Sequence, residues 1–299
     1  MSDLLIGYGI LSALTAVALV AGLRLGRALP AHVGRLAVAG VVALILVFHQ
    51  YLLDGLFWAK VLPFSNVIIL ANLLPVLVGL LAGLAWRFMS GGVIRKAVVI
   101  VPLSVAGCYV TGSPVFARPP ATGEVWRGRV CRQTTSSSCS PAAAATLLRA
   151  HGIPATETEM VALCLTGEDG TPMLGLYRGL KLKTRDTNYD VEVFTGNMEA
   201  FLADARRGAA VISVMLPWEG AVDNRYEKDW GWIPGQKHTV AFFGRSSGEY
   251  SDIGDPAVGR ETWHNKALQT LWTGEAIRLV RRAGAPELPP DERQFADGW

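Results

Sequence analysis

Four long apolar runs fill the first third of the chain, and nothing else in the sequence limits the fold so strongly. They are Leu4–Leu23, Leu36–Leu53, Phe64–Trp86 and Ala97–Phe116, each close to the length a helix needs to cross a bilayer. Before Phe116 there are 7 Lys or Arg and 2 acidic residues, against 21 and 23 after it. Segments so poor in charge read as membrane spans and not as the core of a water-soluble domain. The first lacks a basic n-region and is followed by three more, so it is not read as a cleaved signal peptide. The partner of residues 1–116 is therefore a lipid bilayer, met through four helices.

The short loops give an orientation. Arg24, Arg27 and Arg35 follow the first span, and Arg87, Arg95 and Lys96 follow the third. Between spans two and three only Lys60 stands, near Asp54. Positive loops stay in the cytoplasm, so both termini and everything beyond Phe116 are expected on the extracytoplasmic face of an inner or cytoplasmic membrane. Trp58 and Trp86 sit at span ends, as interfacial anchors do. His49, Asn66 and Asn72 are polar groups within the spans and read as interhelical hydrogen-bonding residues.

Thr111–Gly123 holds Gly112, Pro114, Pro119, Pro120 and Gly123 and reads as the exit from the membrane. The expected organisation is a four-span region over 1–116, a linker over 117–129 and one domain over 130–299. In that domain, helices are expected at Cys139–Leu148, Thr156–Leu165, Met173–Lys181 and from Asn197 through Arg207. Strands are expected at Val191–Phe194, Ala209–Leu216, His238–Gly244 and Glu249–Ile253, then a helix near Trp263–Leu271 and a strand at Glu275–Val280. Helices first and strands afterwards give an α+β fold, helices packed on an antiparallel sheet. This half is nearly neutral and has no basic stripe, which argues against nucleic-acid binding. Cys108, Cys131, Cys139 and Cys164 show no zinc spacing, and no metal or organic cofactor is expected. In an oxidising compartment Cys131 and Cys164 are candidates for a disulfide, with two unpaired buried thiols the favoured alternative.

One stretch in this half carries chemistry. Gln133 stands six positions before Cys139, and Cys139 opens Cys-Ser-Pro-Ala-Ala-Ala-Ala-Thr-Leu-Leu, a run of helix formers with Pro141 in its first turn. A cysteine at a helix N-terminus is biased toward thiolate. A glutamine amide beside it suits an oxyanion donor. A base is then needed. His151 falls in a helix-terminal turn, where a charged imidazole suits the helix dipole and capping is the expected role. His264 reads as a surface residue. His238 opens the strand His-Thr-Val-Ala-Phe-Phe-Gly, and seventeen residues on, a second strand ends at Asp255-Pro256. Two antiparallel strands joined by a Ser-Ser-Gly turn bring Asp255 toward His238, where a carboxylate orients the imidazole.

Gln133, Cys139 with its Pro-Ala-Ala helix, Gly170-Thr171, His238-Thr-Val and Asp255-Pro256-x-x-Gly259 come in an order that resembles one family. It is the papain-like cysteine peptidases that process double-glycine leaders of bacteriocins, with their stand-alone relatives. The likeness covers about Val130 to Val280. It implies a papain-like domain with Cys139 as nucleophile, His238 as general base and acid, Asp255 as orienter and Gln133 as oxyanion donor. A peptide or protein substrate follows from it. Ser138 and Ser140 flank the cysteine where that family commonly has an acidic residue and a glycine. No GxxxxGK[ST] segment is present, and the spans precede the peptidase-like domain, so the family's substrate is not carried over.

Two rival functions use the same residues. One is a catalytically silent module that holds an extended peptide for a membrane-protein partner. The other is a thiol amidase or acyltransferase acting on cell-envelope peptides. The segment Pro217–Gly235, with Trp218, Tyr226, Trp230 and Trp232, reads either as a lid or as an apolar cover on the sheet.

Overall fold

A computed structural model of the chain describes residues 2–89, 91–204, 208–219 and 223–285. These residues divide into two compact units, one N-terminal and one starting at Ala117, the second also counting Ala59–Val61.

The N-terminal unit contains four helical segments long and apolar enough to cross a membrane, which supports membrane association. Helix α1 runs Ser2–Ala28 and α2 runs Ala31–Val47, extended by a π-helical turn at Phe48–Leu52. A short turn, α3 (Trp58–Val61), precedes the third segment. That segment is not one helix: α4 (Val67–Leu70) stops, and α5 (Leu74–Phe88) begins after a break. The Oδ1 of Asn72 accepts from the Leu74 backbone N–H at 3.2 Å, and Pro75 lies in the first turn. Asn72 is thus a local cap at the break, not the interhelical bridge expected of it. Glycines let α1 and α5 touch: a Cβ on Gly22 would meet the Leu80 carbonyl at 2.4 Å, and one on Gly83 the Leu19 carbonyl at 2.3 Å. Small residues permit such approach between spans, where packing replaces the hydrophobic effect as the attraction.

Helix α6 runs Val93–Phe116 and takes in Pro102 and Pro114, so Thr111–Phe116 are helical although their Gly and Pro content reads as linker. The chain itself repairs the proline's damage. Pro114 has no N–H to give the carbonyl four residues back, and the Ser113 hydroxyl donates to that Val110 carbonyl at 3.0 Å.

The second unit opens earlier than residue 130. Strand β1 (Val125–Arg127) pairs with β2 (Val130–Arg132) as an antiparallel hairpin turned at Gly128, whose φ is 61°. Helices α7 (Cys139–Ala150), α8 (Glu157–Leu163) and α9 (Met173–Lys183) follow. The Thr156 hydroxyl caps α8 by accepting from the Glu159 N–H at 3.1 Å. The return arm of that capping box is replaced by an ion pair, since the Glu159 carboxylate meets Lys183 at 2.6 Å. Then come β3 (Tyr189–Thr195), α10 (Met198–Ala203, capped by Asn197), β4 (Ala210–Met215), α11 (Arg225–Lys228), β5 (Lys237–Ser247), β6 (Tyr250–Asp255), β7 (Gly259–His264), α12 (Asn265–Leu271) and β8 (Trp272–Arg281). Helix α10 ends at Ala203, short of the Arg207 expected from sequence, and 205–207 lie outside the described residues.

The six longer strands form one antiparallel sheet in the order β3-β8-β4-β5-β6-β7. The domain is therefore α+β, helices on an antiparallel sheet. Period-two alternation splits the strand side chains between two faces. Ile212, Val214, Val240, Phe242 and Ile253 share one core with Phe201, Tyr226, Trp263 and Leu271. Ala241 and Phe243 pack with Val130 on the other side. Both faces are covered, which is why Ala210–Val214 is buried throughout. Each large apolar side chain so enclosed contributes roughly 1.5–3 kcal/mol.

Strand β7 was not foreseen, and Trp263 belongs to it and not to a helix. Trp263 is fully buried in the sheet core. The helix begins after His264, whose Nδ1 accepts from the Lys266 N–H at 3.1 Å. His151 does end α7, with its Nδ1 2.9 Å from the Leu147 carbonyl. Burial holds its pKa down, so it serves there as a neutral cap and not as the charged one expected.

Candidate active site

Helix α7 brings Cys139 to the sheet, and its composition explains how closely. Ala142, Ala143, Ala144 and Ala145 are all fully buried, and methyl side chains let the helix axis lie near β4 and β5. Ser138 is the N-cap residue but gives no side-chain cap. Its hydroxyl instead donates to the Thr135 carbonyl at 3.1 Å and accepts from the Thr135 hydroxyl at 2.9 Å, which folds the Thr135–Ser138 loop on itself. The first-turn amides of α7 are thus not spent on that side chain. Cys139 keeps part of its surface open to solvent, and all four cysteines are free thiols. Among the described residues no cluster of three or more His, Cys, Asp or Glu is placed to hold a metal ion.

His238 lies near the start of β5 and Asp255 ends β6. The His238 Nε2 and the Asp255 Oδ1 are 2.8 Å apart, and Asp255 is completely buried. The same oxygen accepts from the Ala257 N–H at 2.7 Å, so the turn after β6 aims the carboxylate. Nε2 is occupied by Asp255, which leaves Nδ1 as the other ring nitrogen, and the imidazole and the Cys139 thiol are close enough to shift each other's titration. Side chains up to 116 positions apart in sequence thereby come to one region of the domain.

The charges follow. Burial works against the charged form of His238, but the Asp255 carboxylate outweighs it, and with Cys139 it pushes the imidazole up to about 10. Burial likewise opposes a thiolate at Cys139. The His238 imidazole and, after it, Thr239 and Ser140 overcome it and hold the thiol below its ordinary range. The direction for both partners is toward thiolate and imidazolium. Cys131 and Cys164 differ sharply, since burial pushes each up to about 12. They are inert thiols by the same physics.

Gln133 is held near this turn by its backbone, its N–H donating to the Pro256 carbonyl at 3.0 Å. Arg132 clamps the same turn, its guanidinium donating to the carbonyls of Pro256 at 2.9 Å, Val258 at 2.9 Å, and Ala257. The Gln133 side-chain nitrogen donates to the Thr135 carbonyl at 2.9 Å. A carboxamide carries two N–H groups, so this bond fixes the amide and leaves a second donor. Buried Glu157 supports the loop from below, accepting from the Thr134 N–H at 2.8 Å and the Thr134 hydroxyl at 2.9 Å. Neither Arg132 nor Glu157 was singled out from sequence. Only contacts distant along the chain reveal them.

The segment after β4 covers His238. The Trp232 and His238 rings are 4.5 Å apart between centroids, and Trp232 packs with Tyr226 and Trp263. Tyr226 and Trp232 belong to the sheet core, so the cover reading fits them. Trp218 is 79% exposed.

No family model matches the chain. Two uncharacterized proteins match part of it. One from Methanothermobacter thermautotrophicus is 39% identical over 75 residues, 22% of this chain and 53% of that protein. One from Methanothermobacter marburgensis is 34% identical over 90 residues, 28% of this chain and 63% of that protein. The chain thus covers less than two thirds of the length of either relative. Similar solved structures are peptidase domains of the double-glycine type. The peptidase domain of Streptococcus ComA, a bi-functional ABC transporter of a quorum-sensing pathway, is 21% identical, with 50% of this chain and 96% of that one covered at a TM-score of 0.40. A double-glycine-motif protease from an AMS/PCAT transporter, solved with its leader peptide, is 16% identical over 56% and 96%, at 0.37. Streptococcus mutans ComA gives 20% over 51% and 99%, at 0.35.

Proposed function

We propose that the chain is a membrane-anchored cysteine peptidase. The observation that carries this is His238 held at 2.8 Å from the buried Asp255 carboxylate through Nε2, with Cys139 near enough to help keep the imidazole charged. In the resting site the proton already sits on the imidazole. The Cys139 sulfur attacks a peptide carbonyl, and the oxyanion is received by the Cys139 backbone N–H and the remaining Gln133 amide N–H. His238 gives its proton to the departing amine. The neutral imidazole then takes a proton from water, which attacks the thioester and frees the acid and the thiol. Asp255 holds the imidazole's tautomer throughout and does not itself exchange the proton.

The test is cleavage. The full-length protein in lipid nanodiscs, given a mixture of unstructured peptides, should create new peptide N-termini detectable by mass spectrometry. Cutting that persists undiminished in Cys139→Ala would sink the thiol mechanism, and no cutting by the native chain would favour the silent binding module.

The charge pair sets a pH window. Cys139 is held below the ordinary thiol range and His238 is raised to about 10, so the reactive form exists between those limits. kcat/KM should rise with pH on a limb below that of a free thiol and fall near the His238 value. Because the folded pKa of His238 is raised, its contribution to stability is full below the unfolded value and is lost as pH rises through about 10. An activity profile whose acid limb matches free cysteine would contradict the paired thiolate.

The second finer point is placement. We infer from the arginines and Lys96 of the first and third loops that the catalytic domain faces the extracytoplasmic side. An export-dependent reporter fused after Trp299 should be active. A reporter that works only in the cytoplasm, if strongly active there, would overturn the orientation.

A further inference from the structure

Ser140 stands where the resembling family commonly has glycine, and its side chain is turned toward β5. It is buried, with its hydroxyl 2.8 Å from the Thr239 hydroxyl, itself buried on β5. The two residues have a particular relation: Ser140 follows Cys139 directly, and Thr239 follows His238 directly. A hydrogen bond between the neighbours therefore spans from the nucleophile's helix to the base's strand. The Ser140 hydroxyl is also 4.0 Å from the Cys139 sulfur.

We propose that the Ser140–Thr239 hydroxyl pair is a strap that holds the Cys139 sulfur against the His238 imidazole, making Ser140 and Thr239 positioning residues. The inference rests on reading Cys139 and His238 as the working pair. A hydroxyl both donates and accepts, so the strap serves either charge state. When the sulfur is a thiolate, Thr239 donates to Ser140 and Ser140 donates to the sulfur. When the sulfur is a thiol, Ser140 turns its proton to Thr239 without breaking the link. The bond between the two hydroxyls uses one of their protons and the sulfur can take the other, so removing either hydroxyl leaves a buried partner unsatisfied at a cost.

The experiment is the pH dependence of Cys139 alkylation by iodoacetamide in the full-length protein, localised by mass spectrometry because Cys108 is also exposed. The titratable groups facing the sulfur are His238 from β5 and, behind it, Asp255 from β6. Every variant keeps both. Ser140→Ala and Thr239→Val should each raise the alkylation midpoint by about one pH unit, a roughly tenfold smaller thiolate fraction on the acid limb, the size expected for one lost hydrogen bond to a charged group. The double variant should be no worse than either single one. Thr239→Ser, which keeps the hydroxyl, should alkylate like the native chain and guards against a folding defect at that position. Peptide kcat should fall about as much as the thiolate fraction, with KM little changed. Native alkylation profiles in both Ser140→Ala and Thr239→Val would overturn the strap, as would an effect confined to Ser140→Ala. Alkylation needs no peptide, so the two readings fail separately. A native chain that cuts nothing yet loses its low alkylation midpoint in both variants would discard the peptidase and keep the strap.

Discussion

Cys139→Ala and His238→Ala should each remove essentially all peptide turnover, a loss of at least about 1000-fold in kcat, and the double variant should be hardly slower than either single one. The reason is that neither side chain has a separate task. Without the sulfur there is no acyl-enzyme. Without the imidazole the thiol loses the neighbour that holds its pKa down, while burial still opposes the thiolate. Groups that act as one unit show such non-additivity. Both side chains contact the partially open site, so the variants should fold. Measured kcat values that multiply across the double variant would show that the two residues work independently.

The second large effect belongs to Asp255. Its carboxylate is fully buried, bonded to His238 and to the Ala257 N–H. Asp255→Asn keeps the shape and removes the charge. Burial then dominates at His238, its pKa falls, and the neutral imidazole no longer supports a thiolate. kcat should fall about 100-fold or more while remaining measurable, since the residue orients the base without passing the proton. The alkylation midpoint of Cys139 should rise together with the loss. Full activity in Asp255→Asn, with an unmoved midpoint, would remove Asp255 from the site.

The main parts of this site were legible in the sequence for physical reasons. A cysteine before Pro141 and four alanines announces a helix start, and a histidine opening an apolar alternation announces a strand start. Both are local signals, as are the Thr156 and Asn197 caps. The four spans were equally plain, because length and apolarity need no tertiary information. What escaped depended on distant contacts. Strand β7 reads as polar, and only pairing with β6 makes Gly259–His264 extended. Hairpin β1–β2 follows the glycine- and proline-rich stretch that ends at Gly123, and its order comes from β2's place beside α7 and the turn after β6. Helix α6 continues through Pro114 because of one serine hydroxyl. Arg132 and Glu157 support the site through bonds to residues 23 to 126 positions away, a relation no local pattern encodes. Gln133 is expected from sequence to aim its amide at the thiol, and the bond of that amide to the Thr135 carbonyl is a contact no local pattern announces.

Labelling of Cys139 by a peptide carrying a thiol-reactive group tests the central assignment most directly. At pH 6, where ordinary thiols are protonated, the full-length protein should be labelled at Cys139 and left unlabelled at Cys131 and Cys164, whose pKa values burial pushes up to about 12. His238→Ala should abolish the labelling at that pH while leaving the protein folded. Equal labelling of Cys139 in the native chain and in His238→Ala at pH 6 would contradict a thiolate held by His238.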